Sequence, residues 1–191
     1  MQHLEKKIFT ADEYFDMEET AEYNSEYYHG EIFAMTGGSF DHNVIVSHMI
    51  TALNNALHDR DCYVLASDIK IEIDPAHHYV YPDISVVCGR PDFVKNRKDI
   101  ITNPLVIVEV LSSSTSEYDR GDKFRAYRGI PCLKNYIIVD QYACHVQCCF
   151  KENEGKWLFQ DFETMEDSFL IQSLDIRIYL KDIYHRINFN G

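Results

Sequence analysis

Leu105-Val106-Ile107-Val108-Glu109-Val110-Leu111 decides the fold. Seven residues, six of them aliphatic and three of those valine, with no polar alternation, describe a central strand covered on both faces. The glutamate in its middle is the anomaly. An ionised carboxylate in such a place is costly unless it is paired, hydrogen-bonded or bound to a metal. Glu109 is therefore either a functional acid or a structural one bonded to a neighbouring Arg or Lys.

Upstream of that strand stands Tyr81-Pro82-Asp83-Ile84-Ser85-Val86-Val87. Ile84–Cys88 reads as a second apolar strand with Asp83 at its mouth. Pro82 withholds a ladder donor, so the strand is expected to be irregular just there, and irregularities of this kind re-aim side chains. A Pro-Asp step alone marks a loop start or a cap; beside Glu109 it becomes informative. Two close carboxylates repel unless a cation lies between them. Magnesium prefers oxygen ligands and commonly takes one or two carboxylates plus phosphate. Such an ion, or manganese in its place, can activate water against a phosphodiester.

Downstream, Ser112–Ser116 ends the strand and opens a helix that runs to about Arg128, stopped by Gly129-Ile130-Pro131. The connection is short, so this helix packs back near the strand's end. Arg120, Lys123 and Tyr127 share one face of it at i, i+3 and i+7. Lys123 is the candidate to orient attacking water and steady negative charge; a solvated basic face is the alternative.

Further out, Thr10-Ala11-Asp12-Glu13 forms a capping box ahead of a short acidic helix. Tyr27–Met35 reads as a hairpin turning near Gly30. His42–His58 carries Ile45, Met49, Ala52, Leu53, Ala56 and Leu57 at steps of three and four, an amphipathic helix capped by Ser39 or Asp41. Tyr63–Ile73 alternates loosely as a strand, and Pro75 with a His77-His78 turn separates it from Ile84–Cys88. Tyr136–Asp140 is another buried strand. His145–Phe150 and Trp157–Phe162 make a hairpin around Glu152-Asn153-Glu154-Gly155, and an apolar tail from Leu170 to Ile178 closes the chain. The sum is a mixed α/β (α+β) sheet flanked by helices, read as one domain over 1–191.

Composition sets limits. With 46% hydrophobic and 26% charged residues in 191, the chain is an ordinary globular protein. The apolar runs are too short for a bilayer, and Met1–Thr10 lacks the apolar core of a signal peptide; a cytoplasmic location is expected. Cys62, Cys88, Cys132, Cys144, Cys148 and Cys149 show no C-x-x-C pair and are expected as reduced, buried thiols, with a metal or disulfide role around Cys144, Cys148 and Cys149 as the alternative. The net charge of −13 argues against tight, unspecific nucleic-acid binding. The charge is uneven: residues 1–60 hold 3 Lys/Arg against 11 Asp/Glu, and 61–150 hold 10 against 12. Arg120, Lys123, Arg125 and Arg128 cluster, as do Arg90, Lys95, Arg97 and Lys98, leaving room for a local basic face. His42 either faces the site or bonds locally at its helix start. Asp68 is either a supporting acid or an exposed strand residue. Ser112, Ser113, Ser114 and Thr115 bind phosphate or serve as cap and turn.

Taken in order, these pieces resemble the PD-(D/E)XK nuclease superfamily, and more closely the Uma family of restriction-endonuclease-like proteins. The resemblance runs through Thr10–Tyr14, Glu26–Glu31, His42-Asn43, Tyr81-Pro82-Asp83, Ile107–Ser112, Asp119–Tyr127 and Tyr136–Asp140. It implies a restriction-endonuclease-like sheet core and a magnesium-type site at Asp83 and Glu109, with Glu26 as a further acidic ligand. DNA is the expected substrate and a homodimer the expected assembly. The family's motif expects a lysine two residues after the glutamate. Leu111 stands there instead, and the resemblance allows the lysine to migrate to the adjacent helix, which selects Lys123. Ser113 stands where the family usually has proline and His29 where it often has aspartate. A non-catalytic interaction module that keeps this fold is the rival reading, favoured by the acidic N-terminal third.

Overall fold

The computed structural model describes residues 7–35, 37–112, 116–152 and 155–189. Its centre is a six-stranded mixed sheet in the order β11-β10-β9-β8-β6-β3. These strands are β3 (Cys62–Ala66), β6 (Ile84–Cys88), β8 (Val106–Leu111), β9 (Asn135–Asp140), β10 (Val146–Lys151) and β11 (Trp157–Phe162). Strand β8 lies in the interior, as its sequence demands, antiparallel to β6 and parallel to β9. The parallel pairing requires a crossover, and the helical segment after β8 supplies it.

The two faces of this sheet differ. Val106, Val108 and Val110 alternate onto one face and pack with Ile45, Met49, Leu53 and Leu57 of α2 (Phe40–Leu57). The C-terminal hairpin β12 (Ser168–Ile171) and β13 (Ile176–Tyr179) and helix α5 (Leu180–Ile183) join the same core. Ile107 and Leu111 alternate to the opposite face, among Phe124, Tyr127, Leu133 and Tyr136. Ser39 caps α2 through the His42 amide; of the expected stripe, Ala56 is exposed rather than buried.

A second, five-stranded sheet has the order β2-β1-β5-β4-β7. It comprises β1 (Ser25–Tyr28), β2 (Glu31–Ala34), β4 (Lys70–Asp74), β5 (His78–Val80) and β7 (Ile100–Ile101). The expected single strand over Tyr63–Ile73 is thus divided between two sheets, with exposed Asp68 in the turn between β3 and β4. The expected His77-His78 turn is also corrected, because His78 opens β5 and is buried. The hairpin near Gly30 forms as expected, with His29 and Gly30 both at positive φ (47° and 91°). Helix α1 (Ala11–Glu18) carries the full Thr10–Glu13 capping box, and Tyr14 from it stacks on Tyr27.

The cysteine expectation needs one correction. Cys62 and Cys88 are paired residues in the β3–β6 ladder and are joined by a disulfide. Antiparallel partners bring Cβ atoms within bonding reach, which spacing along the chain cannot reveal. Cys132, Cys144, Cys148 and Cys149 are free thiols. Among the described residues no helix is long and apolar enough to cross a membrane.

Candidate active site

The β6–β8 ladder sets Ile84 opposite Val108; one step further, Asp83 comes opposite Glu109. The two acids meet. The Asp83 amide lies 3.4 Å from Glu109 Oε2, and Asp83 Oδ2 accepts from the Val110 amide at 2.7 Å. Asp83 Oδ1 stands 3.1 Å from His42 Nε2, on the first turn of α2. Of the two readings of His42, the structure supports the one that faces the site. Gly38 makes this approach feasible: a Cβ there would lie 2.5 Å from the imidazole Cδ2.

Lys123 reaches the same place from the other side. Its Nζ lies 3.0 Å from Glu109 Oε1, 3.1 Å from Glu26 Oε1 and 3.7 Å from Asp119 Oδ1. Glu26, on β1, is steadied by the Tyr81 amide at 3.3 Å. The Tyr127 hydroxyl donates to Glu109 Oε1 at 3.0 Å. Glu26, Glu109, Asp119 and Lys123 are all less than a tenth exposed.

The helix that carries Lys123 is not the continuous α-helix expected from Ser116 to Arg128. It consists of α3 (Ser116–Tyr118), a π-helical turn over Asp119–Lys123, and α4 (Phe124–Tyr127). The wider turn alters which residues share a face. Lys123 and Tyr127 converge on Glu109, whereas Arg120 points to Asp140 at 3.6 Å, correcting the three-residue face. The Tyr136 hydroxyl donates to the Asp119 carbonyl at 2.9 Å.

Three carboxylates thus surround one ammonium, with Asp83 beside Glu109, and the ionisation of the group reflects both its burial and that excess. Burial raises the Glu109 carboxyl well above its usual range; Lys123 opposes the rise, while Asp119 and Asp83 add to it. Burial alone would push the Lys123 ammonium down, yet Glu109, Glu26, Tyr127 and Asp119 together hold it well above the ordinary lysine value. In a simple ion pair the acid would fall as the base rose. Here the acid rises too, because its burial outweighs the ion pair and Asp119 and Asp83 add to the effect. His42 loses by burial and gains more from its bond to Asp83, ending above its usual value.

Glu26, His42, Asp83, Glu109, Asp119 and Lys123 line a cavity of about 1180 Å³. Asp119 and Tyr118 line it, and Tyr127 supports Glu109 from the buried side, without having been singled out as site residues from the sequence. The available signal was spacing: Asp119, Lys123 and Tyr127 stand four apart, on the segment that returns to β8. Ser112 lines the cavity, whereas Ser113, Ser114 and Thr115 lie outside the described residues. Part of the expected basic face is engaged within the chain. Arg97 pairs with Asp99, Arg120 with Asp140 and Arg125 with Asp122, and Arg128 lies over the Phe124 ring.

The architecture is that of restriction-endonuclease-like nucleases. A solved structure titled "putative nuclease belonging to DUF820", from Anabaena variabilis, superposes with a TM-score of 0.75, covering 92% of this chain and 97% of that one at 19% identity. Residues 11–180 match the model of the Uma2 family, described as "Putative restriction endonuclease"; the chain belongs to that family. Two relatives from Synechocystis sp., the uncharacterized proteins slr1290 and sll1609, are each 36% identical. The first match covers 94% of this chain and 93% of the relative, the second 81% and 88%.

Proposed function

We propose that this protein is a divalent-metal-dependent endonuclease that hydrolyses phosphodiester bonds in DNA. The observation that carries the reading is the buried surplus of carboxylates over one ammonium at the join of β6 and β8. Among the described residues no group of three or more His, Cys, Asp or Glu side chains is arranged to hold a metal ion. Magnesium does not require one, since it commonly keeps waters beside one or two carboxylates. Hard oxygen donors and uncompensated negative charge fit magnesium or manganese. Asp83 and Glu109 would hold the ion, with Glu26 as the further acid beside them. A bound ion of this kind supplies Lewis-acid polarisation of the phosphate and a more acidic water.

The chain's own residues do the remaining work. Lys123, fixed by Glu109, Glu26 and Asp119, sets an ammonium where an attacking water is to be aligned and where negative charge grows on the phosphate. Tyr127 fixes one oxygen of Glu109 and so orients the other. His42 positions Asp83 and is placed to hold a proton at Nε2. The missing strand lysine is replaced in space by the helical one. DNA enters as the substrate class through the family's description, and a homodimer is proposed on the exposed Leu158 and Phe159 of edge strand β11; sedimentation of the protein and of Leu158→Glu checks the latter.

Nicking of supercoiled plasmid in manganese tests the reading, with Glu109→Ala as control. Loss of nicking in the variant is expected; equal nicking by both proteins rejects catalysis at this site. The net charge of −13 supports the rival reading of a non-catalytic protein-interaction module. That reading predicts little DNA binding at any salt concentration, and no heat on titration of magnesium into either wild type or Asp83→Ala.

A further inference from the structure

Hairpin β1–β2 has two unlike faces. Tyr27 and Ile32 are paired and turn inward to the aromatic cluster with Tyr14 and Tyr79. Glu26 pairs with Phe33 and Tyr28 with Glu31, so these four share the other face. That is the face toward the cavity, and Glu26 on it binds Lys123. Yet Tyr28 and Phe33 are 46% and 49% exposed, and Tyr23, on the same cavity wall, is 63% exposed. Tyr28 is not loose. His78 and His29 meet it edge-on, with ring centroids 4.8 and 4.5 Å away. Three solvated aromatic rings therefore form a shelf beside the acidic centre. Two residues along a strand span about 7 Å, so the shelf begins one short step from Glu26.

The charge of the cavity narrows the occupant. Its wall carries Glu26, Glu31, Asp83, Glu109, Asp119 and Asp122 against Lys123 and Arg125. Lys123 is buried among acids and Arg125 is paired with Asp122 at 2.8 Å. A duplex is held chiefly by cations on its phosphates, and this wall has none to spare. A single strand carries the same charge at each phosphate, but its unpaired bases can stack on aromatic rings, an attraction closed to a fully paired duplex.

We propose that the cavity takes single-stranded DNA, free or as the unpaired end of a duplex, with bases stacked on Tyr28, Phe33 and Tyr23 beside the phosphate to be cleaved. The proposal rests on the nuclease reading and narrows its substrate to unpaired strands. A divalent ion at the carboxylates offsets the repulsion of the one phosphate that must approach them.

The test is fluorescence anisotropy of a labelled twelve-nucleotide single strand and the matching duplex, in magnesium, with the full chain at two salt concentrations. The single strand is expected to bind at least ten-fold tighter than the duplex. Tyr28→Ala/Phe33→Ala is expected to weaken single-strand binding by about 10- to 100-fold with unchanged thermal melting, and Tyr28→Phe to retain it. Equal or tighter duplex binding, an unaffected double alanine variant, or preference for a lysine-rich peptide overturns the proposal. Manganese cleavage separates the two readings. If the wild type nicks duplex plasmid and the double alanine variant does so equally, the nuclease stands and the shelf fails. If no DNA is cut while tyrosine-dependent single-strand binding persists, the nuclease reading fails and the binding shelf stands.

Discussion

The two faces of strand β8 are built from the same short sequence and obey different rules. On one, Val106, Val108 and Val110 meet the aliphatic side of α2, and every contact is interchangeable with another of similar volume. On the other, Glu109 stands between Ile107 and Leu111 and meets an ammonium, a phenol and the fields of two further carboxylates. The valine face costs nothing in desolvated charge and specifies only shape. The glutamate face holds charges that are tolerable only together. A fold can carry both because the pleat separates them by a single residue.

The largest effect is expected from the charged face. Lys123→Met should lower nicking by about 10²–10³-fold and destabilise the protein by about 3–5 kcal/mol, since breaking a buried pair strands its partners. Plasmid nicking and denaturant unfolding measure the two. A variant with intact stability and activity would show the cluster to be incidental. Next, Leu53→Ala on the apolar side should cost about 2–5 kcal/mol through the cavity it leaves. Nicking measured well below its melting temperature should stay within about two-fold of wild type, because ordinary core deletions act on stability rather than on the site. If Leu53→Ala abolished nicking at full folding, the separation of faces would be wrong.

Acidity gives a finer test. Glu109 holds its proton more tightly than an ordinary carboxylic acid, and an ion must displace that proton to bind. Magnesium affinity by calorimetry should therefore rise with pH through the raised value, with proton release seen as buffer-dependent heat. A flat profile would remove Glu109 from the ion's surroundings. The smallest effect concerns His78, whose imidazole is pushed down to about 4 by burial, with Glu26 opposing and His29 and Lys123 assisting. Below its unfolded value near 6.5 the unfolded chain takes up the proton first. Stability should then be fully present above about pH 6.5 and fall as pH drops toward 4. Melting of His78→Gln should lack that part of the decline.

The sequence reading succeeded where local pattern carries the physics. An unbroken apolar run has few homes other than a buried central strand, so β8 and its misplaced acid were legible, as were the capping box and the stripe of α2. Asp83 and Lys123 were legible only by combining weak signals: a proline at a strand mouth, and a helix forced back by a short connection. The rest depended on tertiary contacts that leave no mark in spacing. The split of Tyr63–Ile73 between sheets follows from a turn at residues 67–69 of ordinary composition. The Cys62–Cys88 bond joins residues 26 apart that become neighbours only once β3 and β6 pair.

The widened turn over Asp119–Lys123 has a consequence of its own. A π turn accommodates one more residue than an α turn would, so the spacing of Asp119 from Lys123 depends on chain length as much as on chemistry. Removal of Gly121 alone would leave every ionisable group in place and let the turn close to α geometry, with Lys123 and Tyr127 still four apart on the side of Glu109. Asp119, ahead of the deletion, would then stand three residues from Lys123 instead of four.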